Sequence, residues 1–165
     1  MRALSLSPLH RLSAAAPVVL RVVTGLVFVA HGWQKLTQMG PAGFGNDMLA
    51  GLGVPAPVFF GYAVTFLELV GGVLLIVGGL SRIIALLLAI MLVVATLLVK
   101  VDLGIIAPSG SPLPGAELDL ALIAALLGVV LLGPGRPSVD HAVGIEDTVP
   151  VAATPTAGTG IAARR

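Results

Sequence analysis

Residues 58–99 form a long apolar run, and this run decides the fold. It reads VFFGYAVTFLELVGGVLLIVGGLSRIIALLLAIMLVVATLLV, with Glu68 and Arg82 as its charged residues. A membrane-spanning helix needs about 20 mostly apolar residues, so the run is long enough for two. It breaks at residues 78–82, GGLSR, where paired glycines and polar residues favour a tight turn. We therefore predict two consecutive spanning helices joined by this turn.

Two more apolar segments flank this pair, and composition supports a membrane environment. Hydrophobic residues make up 57% of the chain and charged residues 10%, whereas a soluble domain carries about a quarter charged residues. The mean hydropathy is +1.08. Continuous Leu, Val and Ala runs lack the alternation of a membrane β-barrel, and helices satisfy their own backbone in lipid. We therefore predict an all-α membrane protein, a bundle of four transmembrane helices at about residues 17–36, 58–80, 82–99 and 117–132.

The first apolar segment has some features of a secretory signal peptide, because Arg2 and Arg11 precede it. It also contains Arg21, has full spanning length and is followed by no clean small-x-small cleavage site. We expect it to be retained as the first helix.

Basic residues near the helix ends set the predicted orientation. In a four-span chain Lys35 and Lys100 fall on one side, whereas four arginines fall on the other: Arg2, Arg11, Arg82 and Arg136. The arginine side is predicted to be cytoplasmic. Both termini are then cytoplasmic, and the loops at 37–57 and 100–116 face outward.

The ends of the chain differ from its middle. After Asp140 the composition shifts to Ala, Thr, Gly and Pro without a periodic apolar face. We predict a cytoplasmic segment at 1–16, a membrane domain at 17–141 and a disordered cytoplasmic tail at 142–165.

Composition also argues against several kinds of chemistry. The sequence has no cysteine, which excludes disulfides and thiolate metal sites within the chain. Its three histidines, His10, His31 and His141, are far apart and show no metal-ligand spacing, so we predict no metal. The net charge of +1 gives no reason to expect nucleic acid as a partner.

Glu68 is the most informative residue, because it lies near the middle of the second predicted helix. A charged side chain there costs about 2.5–3.5 kcal/mol on insertion scales. Its helical neighbours at spacings of three, four and seven include Thr65, Gly72 and Gly61, so it is predicted to face the bundle interior, either neutral or paired. It is either a structural strut between helices or part of a site that handles a ligand, a proton or a quinone.

The first predicted helix offers partners for Glu68. One stripe contains Arg21, Gly25, Phe28, Gly32 and Lys35, with His31 at its edge. Side chains lean toward the N-terminus of their helix, so His31 and Glu68 lean toward each other's depth, whereas Arg21 leans to the cytoplasmic face. We predict His31 rather than Arg21 as the nearer partner of Glu68. The candidate intramembrane polar site comprises His31, Glu68, Arg21 and Lys35.

Two further polar clusters are predicted at the helix ends. The outer-face cluster comprises Lys100, Asp102, Glu117 and Asp119, for which interfacial solvation is the simpler explanation. The inner-face cluster comprises Arg82, Arg136 and Asp140.

Several short motifs together resemble the DoxX family. They are Arg21, Gly25 and HGWQK at 31–35, LGVP at 52–55, Glu68 with Gly71 and Gly72, GGLSR at 78–82, Glu117 and GPGRPSVD at 133–140. The resemblance covers about residues 17–141. It implies a small four-helix protein of the bacterial inner membrane, linked to redox work in oxidative stress or sulfur metabolism. One family relative is a small membrane subunit of a thiosulfate:quinone oxidoreductase. Mycobacterial members are associated with a superoxide dismutase and a sulfurtransferase. More distant relatives act as assembly factors.

Three functions follow from this resemblance and from the buried polar residues. The first is a subunit of a membrane redox complex that is non-catalytic or interacts with quinone. Since the sequence has no flavin motif or haem-ligand pair, the electron carrier is then a bound quinone or belongs to a partner oxidoreductase. The second is an assembly factor or scaffold. The third is a pathway for a small solute or proton. Glycine-lined helix faces are also compatible with a homodimer.

Overall fold

Helices make up the fold in the computed structural model, which describes residues 13–111 and 113–146. None of these residues lies in a β-strand, so the predicted all-helical class is confirmed. The four long helices are α1 (Ala16–Gln34), α2 (Pro57–Val77), α3 (Ser81–Val99) and α4 (Glu117–Leu132), followed by the short helix α5 (Val139–Ala142).

Three of these helices are long and apolar enough to span a membrane. The candidate spans are Ser13–Met39, Pro57–Val77 and Ser81–Val99. Helix α4 has 16 residues, fewer than the usual range of about 17–25 for a span. It nevertheless packs against α1 and α3, and its Leu126 and Val129 are fully buried.

The turn between α2 and α3 lies at the predicted glycines. Gly78 has a left-handed backbone (φ 74°), which glycine adopts without steric cost, and it ends α2 three residues earlier than predicted. The amide of Gly79 donates to the carbonyl of Leu74 at 2.8 Å, which closes the helix end. The end of the bundle that holds this turn is called the turn end below, and the opposite end, with the 35–56 and 100–116 connections, the loop end.

Glycines set the register between α1 and α2. A Cβ atom on Gly32 would lie 2.6 Å from the amide nitrogen of Leu69, and one on Gly25 would lie 2.7 Å from the carbonyl oxygen of Gly72. Only residues without side chains allow such a close approach of two helix backbones. This contact fixes the positions of the polar residues on both helices.

The connection between α1 and α2 is mostly helical rather than extended. It contains a π-helical turn at Lys35–Met39, a single turn at Pro41–Gly43 and a second π-helical turn at Phe44–Leu49, together called the cap. A Cβ on Gly45 would lie 2.8 Å from the Cα of Val58, so the cap packs tightly on the start of α2. It covers the loop end of the α1–α2 pair.

Candidate functional site

Lys35 and Glu68 form an ion pair between α1 and α2. The Nζ atom of Lys35 lies 2.6 Å from Oε2 of Glu68, and the two side chains are 17% and 8% exposed. Lys35 follows the end of α1, whereas Glu68 lies in the middle of α2. Because the helices are antiparallel, each side chain leans along its helix toward the other. The buried carboxylate is thus matched by a half-buried cation.

The cap shields this ion pair at the loop end. The Lys35 Nζ atom lies 5.3 Å from the ring centroid of Phe44, within the range of a cation–π contact. Phe44 is 6% exposed. Thr65, one turn before Glu68, turns its hydroxyl to the carbonyl of Gly61 at 2.7 Å. The surroundings of the pair are therefore mostly apolar, apart from its own two charges.

His31 lies beside this pair but on the outer surface of α1. Its side chain is exposed, and it lines an open groove of about 310 Å³ with Ala30, Trp33, Gln34 and Gln38. His31 precedes Lys35 by four residues, which is about one helical turn. The side chain that binds Glu68 is nonetheless that of Lys35. The prediction compared only His31 and Arg21 as partners of Glu68, and the observed partner is neither of them.

The guanidinium of Arg21 makes its hydrogen bonds at the turn end of the bundle. The residue is 3% exposed, and its guanidinium donates to the carbonyls of Pro134 at 2.8 Å and Leu75 at 2.9 Å. It also donates to the carbonyls of Ile76 and Pro137. Carbonyls at a helix end lack partners within the helix, and an arginine satisfies several of them at once. Arg21 therefore joins α1, α2 and the chain after α4, and it is separate from the Lys35–Glu68 pair.

Asp140 is the second buried charge at the turn end. Its carboxylate accepts hydrogen bonds from the amides of Leu80 at 2.5 Å and Ser81 at 2.8 Å, which are at the start of α3. The amide of Asp140 donates to the carbonyl of Gly78 at 2.8 Å. An acceptor carboxylate satisfies unpaired amides at a helix N-terminus, so Asp140 caps α3 from a distant part of the chain.

The predicted inner-face cluster is only partly assembled. Arg82 pairs with Glu146 (Nε to Oε1, 2.5 Å) and also donates to the carbonyl of Val130. Arg136 is exposed. Glu146 was missed because it falls in the tail predicted to be disordered. Residues 142–146 of that tail fold back onto the bundle, whereas residues 1–12 and 147–165 lie outside the described residues.

The predicted outer-face cluster contains one ion pair. Nζ of Lys100 lies 2.9 Å from Oδ1 of Asp119, and the hydroxyl of Thr96 donates to Oδ2 of Asp119 at 2.9 Å. Asp102 and Glu117 are exposed. This pair joins the end of α3 to the first turn of α4.

The α1–α2 pair and the α3–α4 pair have the same arrangement of polar contacts, called the polar plan below. In each pair an arginine at the start of the first helix donates to carbonyls near the end of the second: Arg21 to Leu75 and Ile76, Arg82 to Val130 and Leu131. In each pair a lysine after the first helix binds an acid of the second: Lys35 to Glu68, Lys100 to Asp119. This relation is not visible in the sequence, because the spacings differ between the two pairs. The difference between the pairs is that Glu68 lies mid-helix and Asp119 in the first turn.

The fold and these contacts define a class, the small all-helical membrane proteins with charged residues bonded inside the bundle. The DoxX family model matches residues 16–101, and the chain belongs to the DoxX family.

Two relatives support this assignment. The chain is 32% identical over 144 residues to the uncharacterized membrane protein Rv3486 of Mycobacterium tuberculosis, covering 81% of this chain and 84% of that protein. It is 33% identical over 117 residues to CatD of Bacillus subtilis, which is named as a candidate oxidoreductase, covering 70% of this chain and 78% of CatD. No solved structure matches the chain significantly.

Proposed function

We propose that this DoxX-family chain is a subunit of a membrane redox complex in the bacterial inner membrane, and that it offers a binding site for a quinone headgroup. The observation that carries the proposal is the exposed imidazole of His31 in an open groove, one helical turn along the chain from Lys35 of the Lys35–Glu68 pair. The name of CatD, a candidate oxidoreductase, agrees with a redox setting.

The proposal includes four membrane crossings with both chain ends in the cytoplasm. Helix α4 is apolar and packs within the bundle, and the α3–α4 pair repeats the polar plan of the α1–α2 pair. Arg21 and Arg82 both lie at the turn end, where a cytoplasmic position satisfies the preference of basic residues for that side. The loop end then faces outward.

The groove residues fit a quinone headgroup in chemical type. The headgroup is a flat ring with two carbonyl oxygens, so it needs hydrogen-bond donors beside an apolar or aromatic surface. His31, Gln34 and Gln38 carry donor groups, and Trp33 supplies an aromatic face that is 58% exposed. Ala30 also lines the groove.

A bound quinone supplies two-electron, two-proton redox chemistry. The chain's own part is to orient the headgroup through His31 and to exchange protons with it at the imidazole. A partner oxidoreductase, soluble or in the membrane, exchanges the electrons.

Trp33 makes the binding directly measurable. It is the only tryptophan of the chain, and it lines the groove. In lipid nanodiscs, titration with decylubiquinone should quench its fluorescence in a saturable manner. His31→Ala should raise the apparent Kd about tenfold, the effect of losing about 1.4 kcal/mol of hydrogen bonding.

A matched control separates the groove from a general effect of histidine loss. His141 lies at the turn end, away from the groove, and His141→Ala should leave the titration unchanged. Quenching that rises linearly with quinone concentration, and equally in all three proteins, would show partition into lipid without a site.

A second candidate function is a scaffold that holds a partner without redox chemistry. It is favoured by the internal bonding of four charged pairs or groups, at Arg21, Lys35, Arg82 and Lys100, which join helices to one another. On this hypothesis partners co-purify with the chain, and His31→Ala changes neither partner nor quinone content. Native mass spectrometry of the gently purified protein distinguishes the two, since it detects bound quinones and partner chains together.

A further inference from the structure

The connection between α3 and α4 carries large apolar side chains at its surface. Val101, Ile105 and Ile106 are 64%, 63% and 80% exposed, and Leu113 is 46% exposed. Asp102 is the single charged residue in the sequence from 101 to 116. Ordinary loops in water carry few such side chains, and an exposed apolar patch marks a contact with a partner or a membrane.

Backbone contacts hold these side chains outward. The amides of Ala116 and Glu117 donate to the carbonyls of Gly104 and Ile105, both at 3.1 Å. Gly115 has no side chain, and a Cβ there would lie 2.7 Å from the amide nitrogen of Ala107. The stretch at 104–107 is therefore fastened against the start of α4, and Ile105 and Ile106 cannot turn inward without breaking these bonds.

The exposed residues continue the outer face of α3. Along that helix Ile90, Val94 and Leu97 are 54%, 49% and 62% exposed, at the three- and four-residue spacing of one helix face. Val101 is the next position of the same face, and Ile105 follows it. In a membrane protein such a face is covered by acyl chains, so the loop extends a lipid-facing surface beyond the end of the helix.

Helix α4 is shorter than the hydrocarbon core is thick, so the apolar loop can cover the remaining thickness. Its 16 residues rise about 24 Å, whereas the hydrocarbon core is about 30 Å thick. A span that is too short draws lipid or flanking apolar residues inward to cover the difference. The apolar loop precedes α4 directly and ends where α4 begins.

We propose that Val101, Ile105 and Ile106 lie in the bilayer leaflet at the loop end of the bundle, where they contact acyl chains and complete the apolar length that α4 lacks. The partner of this surface is lipid. The proposal depends on the membrane location of the chain and not on quinone binding.

Single-tryptophan variants test it. In a Trp33→Phe background, Ile106→Trp is reconstituted in vesicles of phosphatidylcholine and phosphatidylglycerol with brominated acyl chains. Leu97→Trp serves as the lipid-facing reference, and Ser109→Trp as the reference for the polar part of the same loop. Bromine should quench Ile106→Trp at least half as strongly as Leu97→Trp, and Ser109→Trp several-fold less.

The opposite pattern would overturn the proposal. If iodide in the water quenches Ile106→Trp as fully as Ser109→Trp, and brominated lipid does not, the loop projects into water and its apolar side chains form a docking surface for a protein.

A second measurement does not depend on tryptophan fitting the loop. Because the chain has no native cysteine, Ile106→Cys and Ser109→Cys are single sites for a water-soluble maleimide. In nanodiscs Ile106→Cys should react at least tenfold more slowly than Ser109→Cys, and detergent unfolding should equalise the rates. Equal rates in nanodiscs would contradict lipid burial.

Discussion

Lys35 and Glu68 meet across the α1–α2 interface, with Nζ of Lys35 2.6 Å from Oε2 of Glu68. Each charge is the compensation for the other in an apolar setting, since a buried carboxylate or ammonium without a counter-charge is strongly unfavourable. The pair therefore links helix packing to whatever chemistry occurs in the neighbouring groove.

Removing one charge of this pair should destabilise the protein more than removing both. Loss of one partner of a buried pair costs about 3–5 kcal/mol because the remaining charge stays buried, whereas an apolar replacement of both is often nearly neutral. We expect Lys35→Met and Glu68→Leu each to lower the midpoint of thermal unfolding in detergent, and the double variant to recover most of the loss. If the two effects simply add, the charges do not depend on each other.

Gly32→Ala should separate α1 from α2. The added Cβ would lie 2.6 Å from the backbone nitrogen of Leu69, and a backbone atom cannot move aside as a side chain does. Overpacking of this kind costs about 1–3 kcal/mol, which a thermal unfolding curve detects. Gly43→Ala is the matched control, because its Cβ would find no atom closer than 3.8 Å. Equal midpoints for the two variants would contradict the close approach.

Asp140→Ala should loosen the start of α3. The variant removes the acceptor for the amides of Leu80 and Ser81 and the buried negative charge near Arg21. Loss of a cap costs about 0.5–2 kcal/mol, and loss of the negative charge near the buried Arg21 guanidinium adds to it. We expect a lower unfolding midpoint and faster tryptic cleavage after Arg82. Asp102→Ala, at an exposed carboxylate, should behave like the parent; resistance of Asp140→Ala to trypsin would count against the capping role.

Variants with a single introduced cysteine can report the proposed orientation, because the native sequence contains no cysteine. Asp47 and Asp102 are exposed at the loop end, and Val143 is exposed at the turn end. An impermeant maleimide added to intact cells should label Asp47→Cys and Asp102→Cys, whereas Val143→Cys should require permeabilised cells. Labelling of Val143→Cys alone in intact cells would reverse the orientation, and labelling of Asp47→Cys without Asp102→Cys would remove one crossing.

The helices were predictable because their signals are local. The length of each apolar run and the glycines at 78 and 79 placed the boundaries of the four long helices within three residues of the structure. The membrane setting followed from the same runs and from composition, and the family membership of the chain agrees with it.

The ion pairs were less predictable because they depend on how helices align with one another. The register of α1 on α2 is set by Gly32 against Leu69, a contact between residues far apart in sequence. Side chains lean toward the N-terminus of their helix, which favours His31 as a partner of Glu68. The same lean also brings Lys35 toward Glu68, and Lys35 is the observed partner. Glu146 gave no signal, since its only distinction is its nearness in space to Arg82.

The two lysine–acid pairs offer a matched test of which one serves the groove. Lys35 and Lys100 hold equivalent places after α1 and α3, but His31 and the groove adjoin only the Lys35–Glu68 pair among the residues that the structure covers. We expect Lys35→Gln and Lys100→Gln both to lower the unfolding midpoint, because each leaves a carboxylate unpaired. Only Lys35→Gln should change the quinone-dependent quenching of Trp33, by severalfold in apparent Kd, since it alters the charge beside His31. If both variants change the quenching equally, the effect comes from general loosening of the bundle, and if neither does, the Lys35–Glu68 pair is a structural strut alone.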